Sequence, residues 1–284
     1  MPSSDLIRAL WLAGALLFAP AIATATDAPP ARVVSINLCT DQLAMLIAAP
    51  GQLVSVSHLA LDPLSSAMVG EAANYPVNHG LAEEIYLMQP DLVLVGRYSN
   101  TATTNMLTRL NIPVATFDIA DTLDDVRDHI TQMGEVLHQR GRAAALLADY
   151  DRRLATFRAE TAIRPRAALY YANGYTTGDQ TLAGQILLTA GFENIATEAG
   201  YPTGGRLPLE VLALSAPDAV IGGRPYPGAS RAEEILHHPV LQRLRHDTAR
   251  ASATDSDWIC GTPFVLNAIE DMTQLRHTMQ EGSE

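Results

Sequence analysis

The chain of 284 residues carries little charge, and most of that charge is acidic. Only 18% of the residues are charged, and 19 basic residues stand against 31 acidic ones, which gives a formal net charge of −12. A nucleic-acid-binding protein needs a dominant basic surface, so this composition argues against that class of partner. A hydrophobic content of 48% is typical of a well-packed globular protein and excludes a disordered one.

Cysteine is also scarce, since only Cys39 and Cys260 occur. In an exported protein an even pair favours a disulfide bond between them. Two thiolate ligands on a metal are the alternative, but no Cys-x-x-Cys pair or His/Cys cluster supports it. The histidines and carboxylates do not assemble into a site for free zinc or manganese either, so we expect no resident metal.

The motifs of several large enzyme classes are missing as well. The sequence contains no Gly-x-Ser-x-Gly, no phosphate-binding loop, no Gly-x-Gly-x-x-Gly and no metal-hydrolase motif. An enzyme on an α/β scaffold stays open as an alternative, because a fold does not determine a function. We favour a binding protein without a cofactor.

One long hydrophobic run is present, and it lies at the N-terminus. Arg8 precedes an apolar stretch over 9–22, and small residues follow at Ala21, Ala23 and Ala25. This pattern predicts a signal peptide over residues 1–25 and therefore an exported protein. A membrane anchor is the alternative, but Pro20 interrupts the run, which is short for a membrane span.

An internal repeat is the strongest feature that is present. The segment 83–97 reads EEIYLMQPDLVLVGR and the segment 210–224 reads EVLALSAPDAVIGGR, so the two agree without a gap at seven positions. Each copy predicts a short helix, a Pro-Asp break and a buried strand. A repeat at a separation of 127 residues predicts two similar α/β lobes with parallel sheets and a cleft between them.

The predicted lobes are joined at the middle of the chain. Residues 141–162 predict one long charged helix, which we interpret as a rigid connector. The expected domains are an N-terminal lobe over 26–140 and a C-terminal lobe over 163–284. In the N-terminal lobe, Thr40 and Asp41 are residue types that start helices, and they mark the start of a helix over 38–48.

Ligands of open α/β sheets bind beyond the carboxyl ends of the strands. Arg97 and Arg224 are equivalent in the repeat and would together clamp an anion, while nearby aromatic rings would offer flat apolar surface. The alternative for each arginine is a solvated residue or a structural ion pair. The candidate ligand-binding residues are Asn37, His58, Arg97, Tyr98, Tyr171, Tyr175, Arg206, Arg224, Tyr226 and Trp258.

The chain resembles the periplasmic substrate-binding proteins of ABC importers of the cobalamin and iron-siderophore type. The resemblance rests on the opening RVVSIN strand, the segments GLAEEIYLMQPDLVLVG and RLPLEVLALSAPDAVIGG, and the long midpoint helix. It implies a monomeric periplasmic protein that captures a ferric siderophore or corrinoid. Heme, a free metal or a small organic anion are the alternative ligands.

The same resemblance implies a partner, an ABC permease in the inner membrane. In that family one glutamate on each lobe docks onto arginines of the permease, and the matching residues here are Glu83 and Glu210. Each is alternatively an ordinary glutamate in the first turn of a helix. A disulfide between Cys39 and Cys260 would tether the two lobes at one side of the cleft.

Overall fold

The computed structural model describes residues 28–157, 164–223, 230–247, 249–253 and 255–281. The predicted signal peptide, residues 158–162 of the predicted connector, and the candidate residues Arg224 and Tyr226 lie outside these ranges. Among the described helices, none is both long enough and apolar enough to cross a membrane.

The N-terminal lobe is built on a parallel sheet of five strands in the order β3-β2-β1-β4-β5. The strands are β1 (Val33–Ser35), β2 (Leu53–Ser57), β3 (Val77–Asn78), β4 (Leu92–Gly96) and β5 (Val114–Phe117). The helices between them are α1 (Leu38–Ile47), α2 (Val69–Ala72), α3 (Ala82–Leu87) and α4 (Thr101–Arg109). Since β1 and β4 are completely buried except at the end of β4, the central strands read as continuous apolar runs.

Two helices follow the first sheet, α5 (Leu123–Val136) and α6 (Arg140–Phe157). Thr122 and Asp125 form a capping box at the start of α5, which stabilises that end. The helices pack so closely that a Cβ on Gly134 would lie 2.3 Å from the Cβ of Ala143. The chain turns between the two helices at His138, which has a φ of 55°, and α6 begins two residues later.

The C-terminal lobe has a parallel sheet of four strands in the order β11-β10-β6-β8, and a separate antiparallel pair, β7 with β9. The strands are β6 (Arg166–Leu169), β7 (Tyr175–Thr176), β8 (Glu193–Asn194), β9 (Gly205–Arg206), β10 (Ala219–Gly223) and β11 (Ala249–Ala253). The helices are α7 (Leu182–Thr189), α8 (Ile195–Glu198), α9 (Leu209–Leu214), α10 (Pro239–Asp247), α11 (Asp255–Trp258) and α12 (Val265–Glu281).

The predicted repeat is confirmed as a structural repeat. The helices α3 and α9 are each six residues long, and each leads into a central strand, β4 or β10, that pairs in parallel with the first strand of its lobe. The residues before the two Pro-Asp pairs, Gln89 and Ala216, both have a positive φ, at 50° and 45°. The two lobes therefore share one local backbone conformation.

The two lobes share a hydrophobic core through the helices between them. The largest buried cluster includes Val33 and Leu94 of the first sheet and Ala167 and Ile221 of the second. Helix α6 contacts α1 of the N-terminal lobe and α12 of the C-terminal lobe. The part of the predicted connector that the structure describes, 141–157, lies in α6. Helix α6 packs on α5, which covers its apolar face.

Candidate ligand-binding site

A recess of about 120 Å³ lies at the carboxyl ends of the first sheet, where parallel α/β sheets place their ligands. Its walls come from the start of α1, the ends of β4 and β5, and the segment between α11 and α12. Its lining includes Asn37, Arg97, Tyr98, Asp118, Ile119 and Ile259. We call it the first recess.

Asn37 has a structural task within this recess. Its Oδ1 accepts hydrogen bonds from the backbone N–H groups of Cys39 at 3.0 Å and Thr40 at 3.4 Å, so Asn37 is the N-cap of α1. A Cβ on Gly96 would lie 2.8 Å from the Asn37 amide nitrogen, so the strand end needs glycine there. The prediction that Thr40 and Asp41 start the helix was wrong, because both are buried inside its first turn.

Arg97 lies at the mouth of the first recess and is already paired with an acid. Its Nε donates a hydrogen bond to Oδ1 of Asp118, and its backbone N–H donates to the carbonyl of Phe117 at 2.8 Å. Asp118 raises the pKa of the Arg97 guanidinium, and Arg97 in turn lowers the pKa of the Asp118 carboxyl. Both side chains are more than half exposed, and the pair leaves little net charge at this wall.

Apart from Asn37 and the ion pair, the lining of the first recess is mainly apolar, with Thr40 and His129 as further polar residues. Tyr98, Ile119 and Ile259 are all exposed and stand around its mouth. Large apolar side chains at the rim of a recess are suited to a flat or bulky ligand that covers them. Ile119 and Ile259 were not among the sequence-predicted residues, although Ile259 follows directly after the candidate Trp258.

A second recess of about 580 Å³ lies in the C-terminal lobe, at the carboxyl end of β6. Its charged and polar lining consists of Tyr170, Asn173, Arg206, Arg231, Glu234 and His238. The Nε of Arg206 donates to the carbonyl of Asn173 at 3.2 Å, and the Tyr170 hydroxyl donates to the carbonyl of Leu207 at 3.2 Å. These bonds fix both side chains along the wall.

Arginine outnumbers acid in the second recess. Arg206 and Arg231 face one glutamate, Glu234, within the lining. Burial and the nearby charge of Glu210 raise the pKa of Tyr170, and Arg206 opposes them. The hydroxyl of Tyr170 therefore stays protonated at neutral pH, and the two guanidinium groups are suited to a carboxylate of a ligand.

The structure separates the other candidate residues. Tyr175 is exposed on β7 and pairs with Arg206 of β9, so it stands beside the second recess. His58 is exposed, and its ring stacks on that of His79 with 5.4 Å between centroids, outside the lining of either recess. Arg224 and Tyr226 lie outside the described residues.

Trp258 differs from the expectation that it lies on the cleft surface. It ends α11, is only 8% exposed and belongs to the main core cluster. Its ring packs edge-on against Tyr171 with 6.1 Å between centroids. Neither ring is part of the lining of either recess, and the indole of Trp258 packs in the core.

The disulfide between Cys39 and Cys260 is confirmed. It joins the first turn of α1 to the segment before α12, with 5.1 Å between the Cα atoms. Next to it, a Cβ on Gly261 would lie 2.1 Å from that of Ala120, so the two lobes touch closely here. Among the described residues, no group of three or more His, Cys, Asp or Glu side chains could hold a metal ion.

Comparison with known proteins agrees with this architecture. Residues 33–246 match the family model described as periplasmic binding protein, so the chain belongs to that family. A relative named "Cobalamin-binding protein" from Halobacterium salinarum is 28% identical over 206 residues, which is 69% of this chain and 55% of the relative. The chain thus spans about half the length of the curated relatives it matches.

Solved structures with the same fold include three with different ligand names. The apo periplasmic heme-binding protein of Roseiflexus sp. RS-1 aligns with a TM-score of 0.72 and 20% identity, over 87% of this chain and 98% of that one. A periplasmic vitamin B12-binding protein of Vibrio cholerae gives 0.66 and 18%, over 89% and 99%. An ABC-type Fe³⁺-hydroxamate transport system from Saccharomonospora viridis gives 0.67 and 21%, over 88% and 94%.

These findings establish the class of protein. The chain belongs to the periplasmic binding protein family, and its fold is that of solved structures named for heme, vitamin B12 and Fe³⁺-hydroxamate. The expected resemblance to this family is therefore confirmed.

Proposed function

We propose that the protein captures a bulky metal chelate in the periplasm and delivers it as a monomer to an ABC permease in the inner membrane. The first recess, at about 120 Å³, is too small to enclose a chelate, but residues from both lobes meet there under exposed apolar side chains that a bulky ligand would cover, and this observation carries the proposal. A chelate brings its own metal donors, so a site without a protein metal cluster is suited to it. We also propose that the two domains have the limits predicted from the sequence, 26–140 and 163–284.

The charge of the lining favours a different class of ligand in each of the two recesses. The pairing of Arg97 with Asp118 leaves the first recess nearly neutral, and such a wall is suited to a corrinoid or another chelate without strong negative charge. The relative named for cobalamin binding is in line with that ligand. A corrinoid is therefore the first candidate.

The second recess supports a second candidate. Arg206 and Arg231 offer two guanidinium groups beside the exposed ring of Tyr175, which suits heme or an anionic ferric chelate with carboxylates. The pair Arg97 and Arg224 was expected to clamp the anion. We now assign that role to Arg206 and Arg231, since Arg97 already has an acidic partner.

Delivery is proposed to depend on Glu83 and Glu210. Both are exposed in the first turn of their short helices, α3 and α9, at equivalent places in the repeat. The neighbouring Glu84 accepts a hydrogen bond from the backbone N–H of His79 at 2.7 Å and lies 3.4 Å from its ring nitrogen, so it is already engaged. Glu83 is the freer of the two to accept a cation from a permease.

Ligand capture is tested by titrating the protein without residues 1–25 with cyanocobalamin, heme and ferric hydroxamates, with Zn²⁺ and Mn²⁺ as controls. Trp258 is then the single tryptophan, since the other, Trp11, lies in the removed segment. A bound corrinoid or heme quenches it through energy transfer, without needing contact. Saturable binding of one chelate, confirmed by calorimetry, supports the proposal, and binding of none of them contradicts it.

A further inference from the structure

The repeat places an exposed leucine at the same point of each lobe. Leu87 ends α3 and is 79% exposed, and Leu214 ends α9 and is 87% exposed. Single exposed leucines are common on protein surfaces. Two equivalent leucines, each four residues after a proposed docking glutamate, are a repeated arrangement and call for a common cause.

Each leucine borders an apolar depression between its helix and the next. The depression in the N-terminal lobe has a volume of about 280 Å³ and is lined by Ala82, Glu83, Tyr86, Leu87, Met106 and Leu110. The one in the C-terminal lobe has about 520 Å³, and its lining consists of Leu209, Glu210, Ala213, Leu214, Ile235, His238 and Val240. We call them the paired depressions.

Both depressions combine one carboxylate with a mainly apolar wall. Within the described part of the chain, neither the Glu83 nor the Glu210 carboxylate is engaged in an ion pair, whereas Glu84 accepts from His79. Tyr86, Met106 and Leu110 are also exposed around Leu87. An exposed apolar patch beside a carboxylate without an ion pair offers a partner both apolar surface to cover and a charge to meet.

We propose that Leu87 and Leu214 are the apolar anchors of docking and that the permease fills both depressions with equivalent elements. Each element would present a cationic side chain to the glutamate and an apolar side chain to the depression. The proposal rests on the proposed delivery to a permease. Because the anchors are duplicated, the partner surface must present the same feature twice, as two copies of one subunit do.

A second copy of this chain is a poorer occupant. Contact between paired depressions of two copies would place Glu83 or Glu210 of one near a glutamate of the other, in molecules with a net charge of −12. Like charges brought together in this way oppose association. A partner with exposed arginine or lysine removes that conflict.

The first test places a photo-crosslinking amino acid at position 87 or 214 of the full chain in cells that contain its transporter. Gln274, exposed on α12 and far along the chain from the repeat, is the matched control position. We expect crosslinks from both 87 and 214 to the same integral membrane polypeptide and none from 274. Crosslinks from only one position, from neither, or to a second copy of this chain overturn the proposal.

The second test compares the uptake of radiolabelled cyanocobalamin, heme and ferric hydroxamate by cells with Leu87→Ser, Leu214→Ser or Glu83→Gln/Glu210→Gln protein. For the solute taken up by wild-type cells, each leucine variant should slow uptake roughly tenfold, as loss of about 1.4 kcal/mol at the docking step would. Solute affinity and urea midpoint should stay at the wild-type values, since both leucines are exposed.

The two tests separate the failure of this inference from the failure of the proposed function. If the leucine variants transport at the wild-type rate while the glutamate variant does not, only the apolar anchors are wrong. If the glutamate variant also transports normally, the proposed docking itself is wrong. The crosslinking test needs no solute, so it decides the matter even where wild-type cells take up none of the three.

Discussion

The carboxylate of Asp218 accepts a hydrogen bond of 2.8 Å from the backbone N–H of Arg166, at the start of the first strand of its lobe. Asp91 does the same for Arg32 at 2.9 Å in the other lobe. In return, the side chain of Arg166 donates to the carbonyl of Ser215 at the end of α9. The side chain of Arg32 donates in the same way to the carbonyl of Met88 at the end of α3. The Pro-Asp step of the repeat is therefore a clamp between the helix end and the first strand.

Replacing either clamp aspartate by alanine should lower the free energy of unfolding by about 1 kcal/mol, the net value of a hydrogen bond near the surface. Asp91→Asn and Asp218→Asn keep an acceptor oxygen and should lose less. Asp121→Ala, also at an exposed aspartate, is the matched control. Urea unfolding measures the effect, and a loss no larger than that of the control would contradict the clamp.

Replacing Arg206 by alanine should weaken binding of a carboxylate-bearing chelate by about 1.5–3 kcal/mol, the range for a hydrogen bond to a charged group. The double variant Arg97→Ala/Asp118→Ala removes a pair with little net charge and should change the affinity much less. Calorimetric titration of both proteins with heme measures the difference. Equal losses in the two proteins would show that the second recess does not select for anions.

The buried carboxyl of Asp41 should make stability depend on pH. Its side chain is fully buried, and burial raises the pKa of Asp41 to about 7, while bonds from Ser35 and Ser57 oppose the shift. In the unfolded chain this group ionises near pH 4. Its contribution to stability is thus complete below about pH 4 and is lost as the pH rises to about 7.

Asp41→Asn is a neutral mimic that can still accept from the Ser57 N–H and donate to its hydroxyl. Relative to the wild type, the variant should gain stability between pH 5 and pH 8, by at most about 4 kcal/mol for a shift of three pH units. Urea unfolding of both proteins at several pH values isolates Asp41 from the other carboxylates. A difference that does not change with pH would refute the shift.

Loss of the disulfide should destabilise the protein by about 2–5 kcal/mol, since the bond closes a very long loop in the unfolded chain. Cys39→Ser/Cys260→Ser protein and reduced wild-type protein should unfold at the same lower urea concentration. The double variant should not respond to reductant, which controls for other effects. We also expect faster release of bound ligand, because the bond lies beside the first recess.

Sequence patterns predicted the sheets well because buried parallel strands are short apolar runs. β1, β4 and β10 were all expected at nearly their observed places. β11 was missed since its sequence, ARASA, has no apolar run. Asn37, Thr40 and Asp41 are all residue types that cap helices, and the sequence pattern does not distinguish them. The helix begins directly after Asn37, which is therefore the cap.

The site was harder to predict than the fold, since it depends on contacts between distant parts of the chain. Arg97 is paired with Asp118, which lies 21 residues further along the chain. The local sequence around either residue does not predict that pair. The burial of Trp258 follows from the packing of Tyr171 and the core around it. Arg231 and His238 follow the second repeat strand, and this position was the one available signal for the second recess.

The bond between Cys39 and Cys260 also constrains when the disulfide can form during folding. The cysteines are 221 residues apart, so in the proposed export from the N-terminus onward the first thiol would reach the oxidising compartment long before its partner. With no third cysteine in the chain, that thiol has no wrong partner within its own molecule. The possible side reaction is a disulfide with a second chain. The native bond forms only after both ends of the protein have come together, so it forms late in folding.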